Sequence, residues 1–259
     1  MDIYQHFRKD EHPFIDQILT WREQVERTYR PRLTDFLDPR EQQILAMLVG
    51  TEADDLQLKQ FGGGKYTERK RALIAPFYEP VTEDMFQLAL LETSYPNKFV
   101  TISHRDVLGA FLSLGLKRTK LGDIFVGDRC IQMVTTGDIA PFVMVHLTRI
   151  KHAKVVFKEK PLATLQEKQH DWDEKMTTVA SLRLDAVLKS IYNMSRKDAA
   201  SVIAAEHVKV NFKVIDDAKF ILQEGDMLSV RGKGRSKLVR INGKTKKGKW
   251  RITAAVLRF

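Results

Sequence analysis

Between Arg231 and Arg258 the chain carries eleven Lys or Arg side chains and no Asp or Glu, so this stretch cannot neutralise its own charge. The imbalance is local. Residues 176–259 hold 18 basic and 7 acidic side chains, whereas 1–175 hold 25 and 26, so the formal net charge of +10 resides in the C-terminal segment. Arg231, Lys233, Arg235 and Lys237 occupy every second position, which in an extended strand places all four on one face. Gly232 and Gly234 between them would let a phosphate backbone come close. A polyanion gains from such a surface because each neutralised phosphate releases condensed counterions, and nucleic acid is the expected partner. The competing reading is a solvated basic face that only keeps the protein soluble; the regular spacing argues against it.

Two or three domains fit within 259 residues, and 43% apolar residues can fill their cores. The single cysteine, Cys130, excludes an intramolecular disulfide framework and a cysteine-cluster zinc site, in keeping with a reducing compartment. His6 and His12 lack the i, i+4 spacing of a helical zinc pair, and no acidic cluster accompanies His146 or His152. No metal and no cofactor are expected. The opening Met1-Asp2-Ile3-Tyr4-Gln5-His6 has no basic segment leading into an apolar run, and no stretch reaches the roughly 20 apolar residues of a membrane span. A cytoplasmic protein without a membrane partner is expected.

The pattern along the chain is α+β. Asp2 to Leu48 has helical spacing, with Phe14, Ile15, Ile18 and Leu19 three and four apart, interrupted by Pro31 and Pro39. Asp38-Pro39-Arg40-Glu41 places a capping Asp before a first-position Pro, so a second helix starts there. Leu56–Phe61 and Ala72–Phe77 read as strands on either side of Gly62-Gly63-Gly64, whose basic neighbours Lys65, Arg69, Lys70 and Arg71 could make an auxiliary RNA contact. Next come a strand at Phe86–Glu92, a helix opened by Ser103, and short strands at Asp123–Val126 and Cys130–Val134. Asp128 lies in the turn between those two. A helix over Thr136–Arg149 and a strand at Ala153–Lys158 complete β-α-β-β-α-β, the ferredoxin-like order. RNA-recognition domains of this topology stack bases on aromatic residues of their central strands, and Cys130–Val134 supplies none; Phe125 reads as core. Glu159–Met176, rich in Lys, Glu, Gln and Asp, contains the expected boundary to the basic part.

Beyond that boundary stand Arg183-Leu184-Asp185, Ser195-Arg196-Lys197, Val208-Lys209-Val210-Asn211 and Gly225-Asp226. Leu184, Val187, Leu188 and Ile191 line one helix face, and Ser195 can cap a second helix with Arg196 and Lys197 in its positive first turn. In order and spacing these pieces resemble the S4 RNA-binding domain over about Ser181–Arg235. That resemblance implies that Arg183, Ser195, Arg196, Lys197, Lys209 and Asn211 face structured RNA, with Arg231, Lys233, Arg235 and Lys237 extending the surface. Glu206 and Phe212 stand where the family usually has glycine.

The whole layout is similar to the YlmH family of bacterial RNA-binding proteins, including Ser103-His104-Arg105-Asp106, Gly109, Lys117-Arg118 and Gly122-Asp123-Ile124. The expected domains are 1–80, helical or α+β; 81–160, ferredoxin-like; a linker at 161–180; and 181–259, the S4 domain with basic C-terminal strands. The resemblance implies a factor associated with ribosomal RNA or transfer RNA, acting on stalled or obstructed large ribosomal subunits. No DNA partner is expected.

An RNA-modifying enzyme that docks through its S4 domain, and a protein-interaction platform linked to cell division, are the alternatives. The catalytic signatures fail. Asp185 sits in an Arg-Leu-Asp context like that of pseudouridine synthases, but inside the S4 match, where it reads as a helix-start residue. Asn193-Met194-Ser195-Arg196-Lys197 resembles a synthetase signature without its His-Ile-Gly-His partner. His104-Arg105-Asp106 has Phe111 where a kinase would carry its metal-binding Asn. Gly62-Gly63-Gly64-Lys65 lacks full phosphate-loop spacing.

Overall fold

Helix α1 (His12–Thr28) buries Ile15, Ile18, Trp21 and Val25, three or four residues apart, and stops where Tyr29 turns left-handed at φ 55. It belongs to a computed structural model that describes residues 3–50, 55–95, 100–166 and 172–257, in two units spanning 1–168 and 169–259. Among the described residues no helix is long and apolar enough to cross a membrane.

In the first unit, β1 (Arg32–Leu37) follows α1 where helix was expected. The reason lies in Pro31 and Pro39, which isolate a short β-forming run whose Thr34, Phe36 and Leu37 point inward. Helix α2 (Pro39–Val49) begins as anticipated: Asp38 accepts from the Arg40 and Glu41 amides at 2.8 and 2.9 Å, and Glu41 accepts from the Asp38 amide at 2.6 Å. Strands β2 (Leu56–Phe61) and β3 (Lys70–Pro76) pair antiparallel, and β1 joins the other side of β3 to give the order β1-β3-β2. Helices α1 and α2 cover this sheet through Ile15, Ile18, Ile44, Leu45, Ala72 and Ile74.

Strand β4 (Leu88–Ser94) opens the next layer and leads to α3 (His104–Leu112), where Asp106 accepts from the Ser103 amide at 2.8 Å. Strands β5 (Leu121–Val126) and β6 (Cys130–Thr136), then α4 (Ala140–His146), follow. The expected last strand is displaced. A two-residue hairpin, β7 (Arg149–Ile150) with β8 (Ala153–Lys154), comes first, and the edge strand β9 is Lys158–Lys160. The order is β5-β6-β4-β9 with every pair antiparallel. One face packs on α3 and α4 through Leu91, Val107, Phe111, Ile131, Met133 and Val143.

The other face of that sheet is covered as well. Leu90 and Val134 pack on Phe36 of β1, with Leu162 and Leu165 alongside. Burying a side chain of this size contributes about 1.5–3 kcal/mol. The Gln132 amide donates to Glu92 (2.7 Å) and the Thr164 carbonyl (3.0 Å) and accepts from the Gln166 amide (2.7 Å). Gly122 is required here, since a Cβ would stand 2.7 Å from Phe36 Cε1. Beside it Asp123 accepts from the Glu68 and Arg69 amides at 2.6 and 3.1 Å, and burial raises its pKa. Burial also lowers the Arg118 pKa to about 10, its guanidinium being spent on the carbonyls of Leu121 and Gly122. The Ser103–Asp106 and Arg118–Asp123 motifs therefore cap a helix and close this seam.

Two of the four cations near Gly62-Gly63-Gly64 are also committed inward. Arg71 is buried and donates to the carbonyls of Thr34 (2.7 Å), Phe86 (2.8 Å) and Gln87 (3.2 Å), while Arg69 donates to the Phe36 carbonyl at 2.9 Å. They are structural clamps and not the auxiliary RNA contact expected from their charge.

The second unit starts with β10 (Trp172–Val179), inside the segment expected as linker, and continues through α5 (Leu184–Tyr192), α6 (Arg196–Ala204), β11 (Val208–Val210) and β12 (Lys213–Val214). Strands β13 (Met227–Val230), β14 (Gly234–Lys244) and β15 (Trp250–Leu257) complete an antiparallel sheet of order β10-β15-β14-β13-β11-β12. Both helices lie on one face, packing Leu184, Val187, Leu188, Ala199 and Ile203 onto Val208, Val210, Leu228, Leu238 and Ile252.

Candidate nucleic-acid interface

The turn between α5 and α6 is fixed by its own residues. Asn193 ends α5 in a left-handed conformation (φ 50), and Ser195 caps α6 by accepting the Asp198 amide at 3.0 Å. This brings Arg196 back toward the start of α5. There Asp185, 3% exposed, accepts from Arg183 Nε (3.1 Å) and Nη2 (2.9 Å) and from Arg196 Nε (3.0 Å). The Arg183 and Arg196 side chains, 29% and 61% exposed, thus share a hidden carboxylate. A planar cation held by one edge keeps its remaining N–H groups in a fixed direction, the arrangement that suits phosphate oxygens. Exposed Lys197 and the positive end of α6 add to the same surface.

Asp185 is thus more than the helix-start residue expected. Burial alone would raise its pKa, but the hydrogen bonds from Arg183 and Arg196 outweigh this and leave it below the ordinary carboxylate value. Because its folded pKa is depressed, the stability this clasp contributes is complete above the ordinary value near 3.8 and is lost as pH falls through the folded one. Acidifying from neutral to mildly acid pH should leave the clasp closed. An NMR titration of the Asp185 carboxyl should show its midpoint below that ordinary value, and a midpoint above it would contradict the clasp.

The strand cations lie elsewhere. Register aligns Lys209 with Ser229 and Ser229 with Arg235, so Lys209 and Arg235 share a sheet face about 10 Å apart, with Lys237 two residues further on. Their neighbours Val208, Val210 and Ser236 are buried toward the helices, which puts Lys209, Arg235 and Lys237 on the face opposite α5 and α6. The expected four-residue alternation is also broken. Val230 pairs with Gly234, and the Lys233 amide donates to the Val230 carbonyl at 3.0 Å, so Arg231 and Lys233 form the tip of a tight turn. Gly232 and Gly234 serve that turn at φ 79 and 89. The Arg231 amide donates to the His207 carbonyl at 2.9 Å.

Asn211 is occupied by the fold. Its amide donates to Asp226 at 2.7 Å and accepts from the Met227 amide at 2.9 Å, locking two turns together. Glu206 (φ 57) and Phe212 (φ 69) both adopt the left-handed conformation that glycine takes without strain. A side chain there stores about 1 kcal/mol. Glu206→Gly should therefore raise the melting temperature of the second unit by a few degrees in a calorimetric scan, and a decrease would show that its side chain outweighs the strain.

Residues 10–79, 80–164 and 182–228 match three family models in turn, described as "YlmH, N-terminal", "Putative RNA-binding domain in YlmH" and "S4 domain". Over 252 residues, 97% of each sequence, the chain is 46% identical to Ribosome-associated protein quality control protein P2 of Bacillus subtilis (strain 168). It is similar in structure to Cell division protein ylmH from Streptococcus pneumoniae, with a TM-score of 0.53 and 31% identity, covering 62% of this chain and 97% of that one.

Proposed function

This chain belongs to the YlmH family, and on that premise we propose that it binds structured RNA in the cytoplasm without catalysing a reaction on it, as a ribosome-associated quality control factor. The RNA is ribosomal RNA, transfer RNA or both, and the particle is a stalled or obstructed large ribosomal subunit. The observation that carries this reading is the pair Arg183 and Arg196 clasped by buried Asp185 beside Lys197. Such a surface suits the regular phosphate geometry of a folded RNA more than a single flexible strand.

The three domains are 1–80, 81–160 and a third that takes in β10 (Trp172–Val179) ahead of 181–259; the second is ferredoxin-like, and only the third supplies the primary contact. Base stacking on the second domain's sheet is disfavoured by the cover that Phe36, Leu162 and Leu165 form over Leu90 and Val134. Ser195 acts here by setting the start of α6. Lys209, Arg235 and Lys237 form a secondary cationic face, Arg231 and Lys233 mark its edge, and Asn211 supports the turn behind it.

The test is crosslinking in cells followed by sequencing of the attached RNA, comparing wild type with Arg183→Ala/Arg196→Ala/Lys197→Ala. Sharp peaks on large-subunit ribosomal RNA and transfer RNA, lost in the variant, are expected. Scattered peaks unaffected by the substitutions would refute the assignment.

A further inference from the structure

The hairpin of β14 and β15 extends past the residues matched by the S4 model, and its tip concentrates Lys244, Lys246, Lys247 and Lys249 within six positions. No Asp or Glu occurs anywhere after Asp226. Resting on the RNA-binding reading above, we infer that this tip is a second contact point, gripping the phosphodiester backbone of the same RNA that the α5–α6 surface holds.

The tip has a defined shape. The Thr245 amide donates to the Lys249 carbonyl at 2.7 Å, the Gly248 amide to the Thr245 carbonyl at 2.9 Å, and the Lys249 amide to Thr245 Oγ1 at 3.1 Å. Lys246, Lys247 and Lys249 are exposed, and none has an ion-pair partner among the described residues. Glu224, in the turn before β13, accepts from the Ile241 amide of β14 at 2.9 Å. Like charges fixed this closely repel one another, so the arrangement favours a polyanion. Above Gly243 and Gly248 a Cβ would meet nothing within 4 Å, leaving the backbone open to close approach.

Its position argues for a shared ligand. Trp250 packs against the cluster beneath the helices, and Lys244 Nζ lies 4.7 Å from the centroid of its ring, which directs this end of the hairpin to the helix side of the sheet. Val179 pairs with Trp250, and only three residues separate it from Arg183, a span of at most about 14 Å of chain. The lysine tip and the start of α5 therefore stand at the same end of the sheet, unlike Lys209 and Arg235 on its reverse.

The experiment titrates the full chain against a fluorescein-labelled RNA stem-loop at several KCl concentrations, following anisotropy. Lys246→Gln/Lys247→Gln/Lys249→Gln should weaken binding about tenfold at physiological salt and flatten the plot of log affinity against log salt by about two to three units. Lys246→Arg/Lys247→Arg/Lys249→Arg should preserve both. Wild-type affinity and slope in the glutamine variant, with binding still lost in Arg196→Ala/Lys197→Ala, would overturn the tip contact and leave the α5–α6 site standing. The opposite pattern would support the tip and remove the helix site. No change in either variant, or no binding by the wild type, would overturn both.

Discussion

Arg196→Ala weakens binding to structured RNA by about 5- to 150-fold at fixed salt, the range for losing one well-placed phosphate contact worth about 1–3 kcal/mol. Asp185→Asn moves affinity in the same direction although Asp185 is itself buried, because it removes the charge that orients both Arg183 and Arg196. Two guanidiniums facing a neutral amide repel each other and lose their common direction. Equilibrium binding well below the melting temperature separates this from loss of folding. A folded Asp185→Asn protein with unchanged affinity would mean that the clasp serves stability alone.

Arg71→Met destabilises the first unit by about 3 kcal/mol or more while leaving RNA affinity in place. The methionine keeps most of the apolar stem but strips donors from the carbonyls of Thr34, Phe86 and Gln87, and a buried acceptor without a donor costs about 1–3 kcal/mol. Burial pulls the Arg71 pKa below its ordinary value, opposed by the charges of Asp35 and Asp138, and the group remains a cation at neutral pH. Urea unfolding followed through the first unit should show the loss. A shift smaller than about 1 kcal/mol would mean that water replaces the guanidinium.

Local chemistry accounts for what could be read in advance. The Asp38-Pro39 start of α2, the Ser103 start of α3 and the Ser195 start of α6 depend on neighbouring residues only. The strand at Arg32–Leu37 escaped because its partner β3 lies more than thirty residues away, and helical spacing on both sides masked a six-residue run. Charge gave the right segment but not its faces. Alternation of cations from Arg231 to Lys237 says nothing about a hairpin turn at 231–233, and only the register shows Lys209 and Arg235 turned away from the helices. The role of Asp185 depends on Arg196, eleven residues on, and required the helix–turn–helix geometry.

The cover that Phe36 provides over Leu90 and Val134 has a bearing on descent. A gene segment encoding only the sheet of β4, β5, β6 and β9 would carry an apolar face with no lid into any new host, and one encoding only the first three strands would leave Phe36 bare. Shuffling between these two parts is therefore selected against, and they should be inherited together. The unit beginning at β10 packs around its own core, so it is the part free to be lost, gained or joined to other partners.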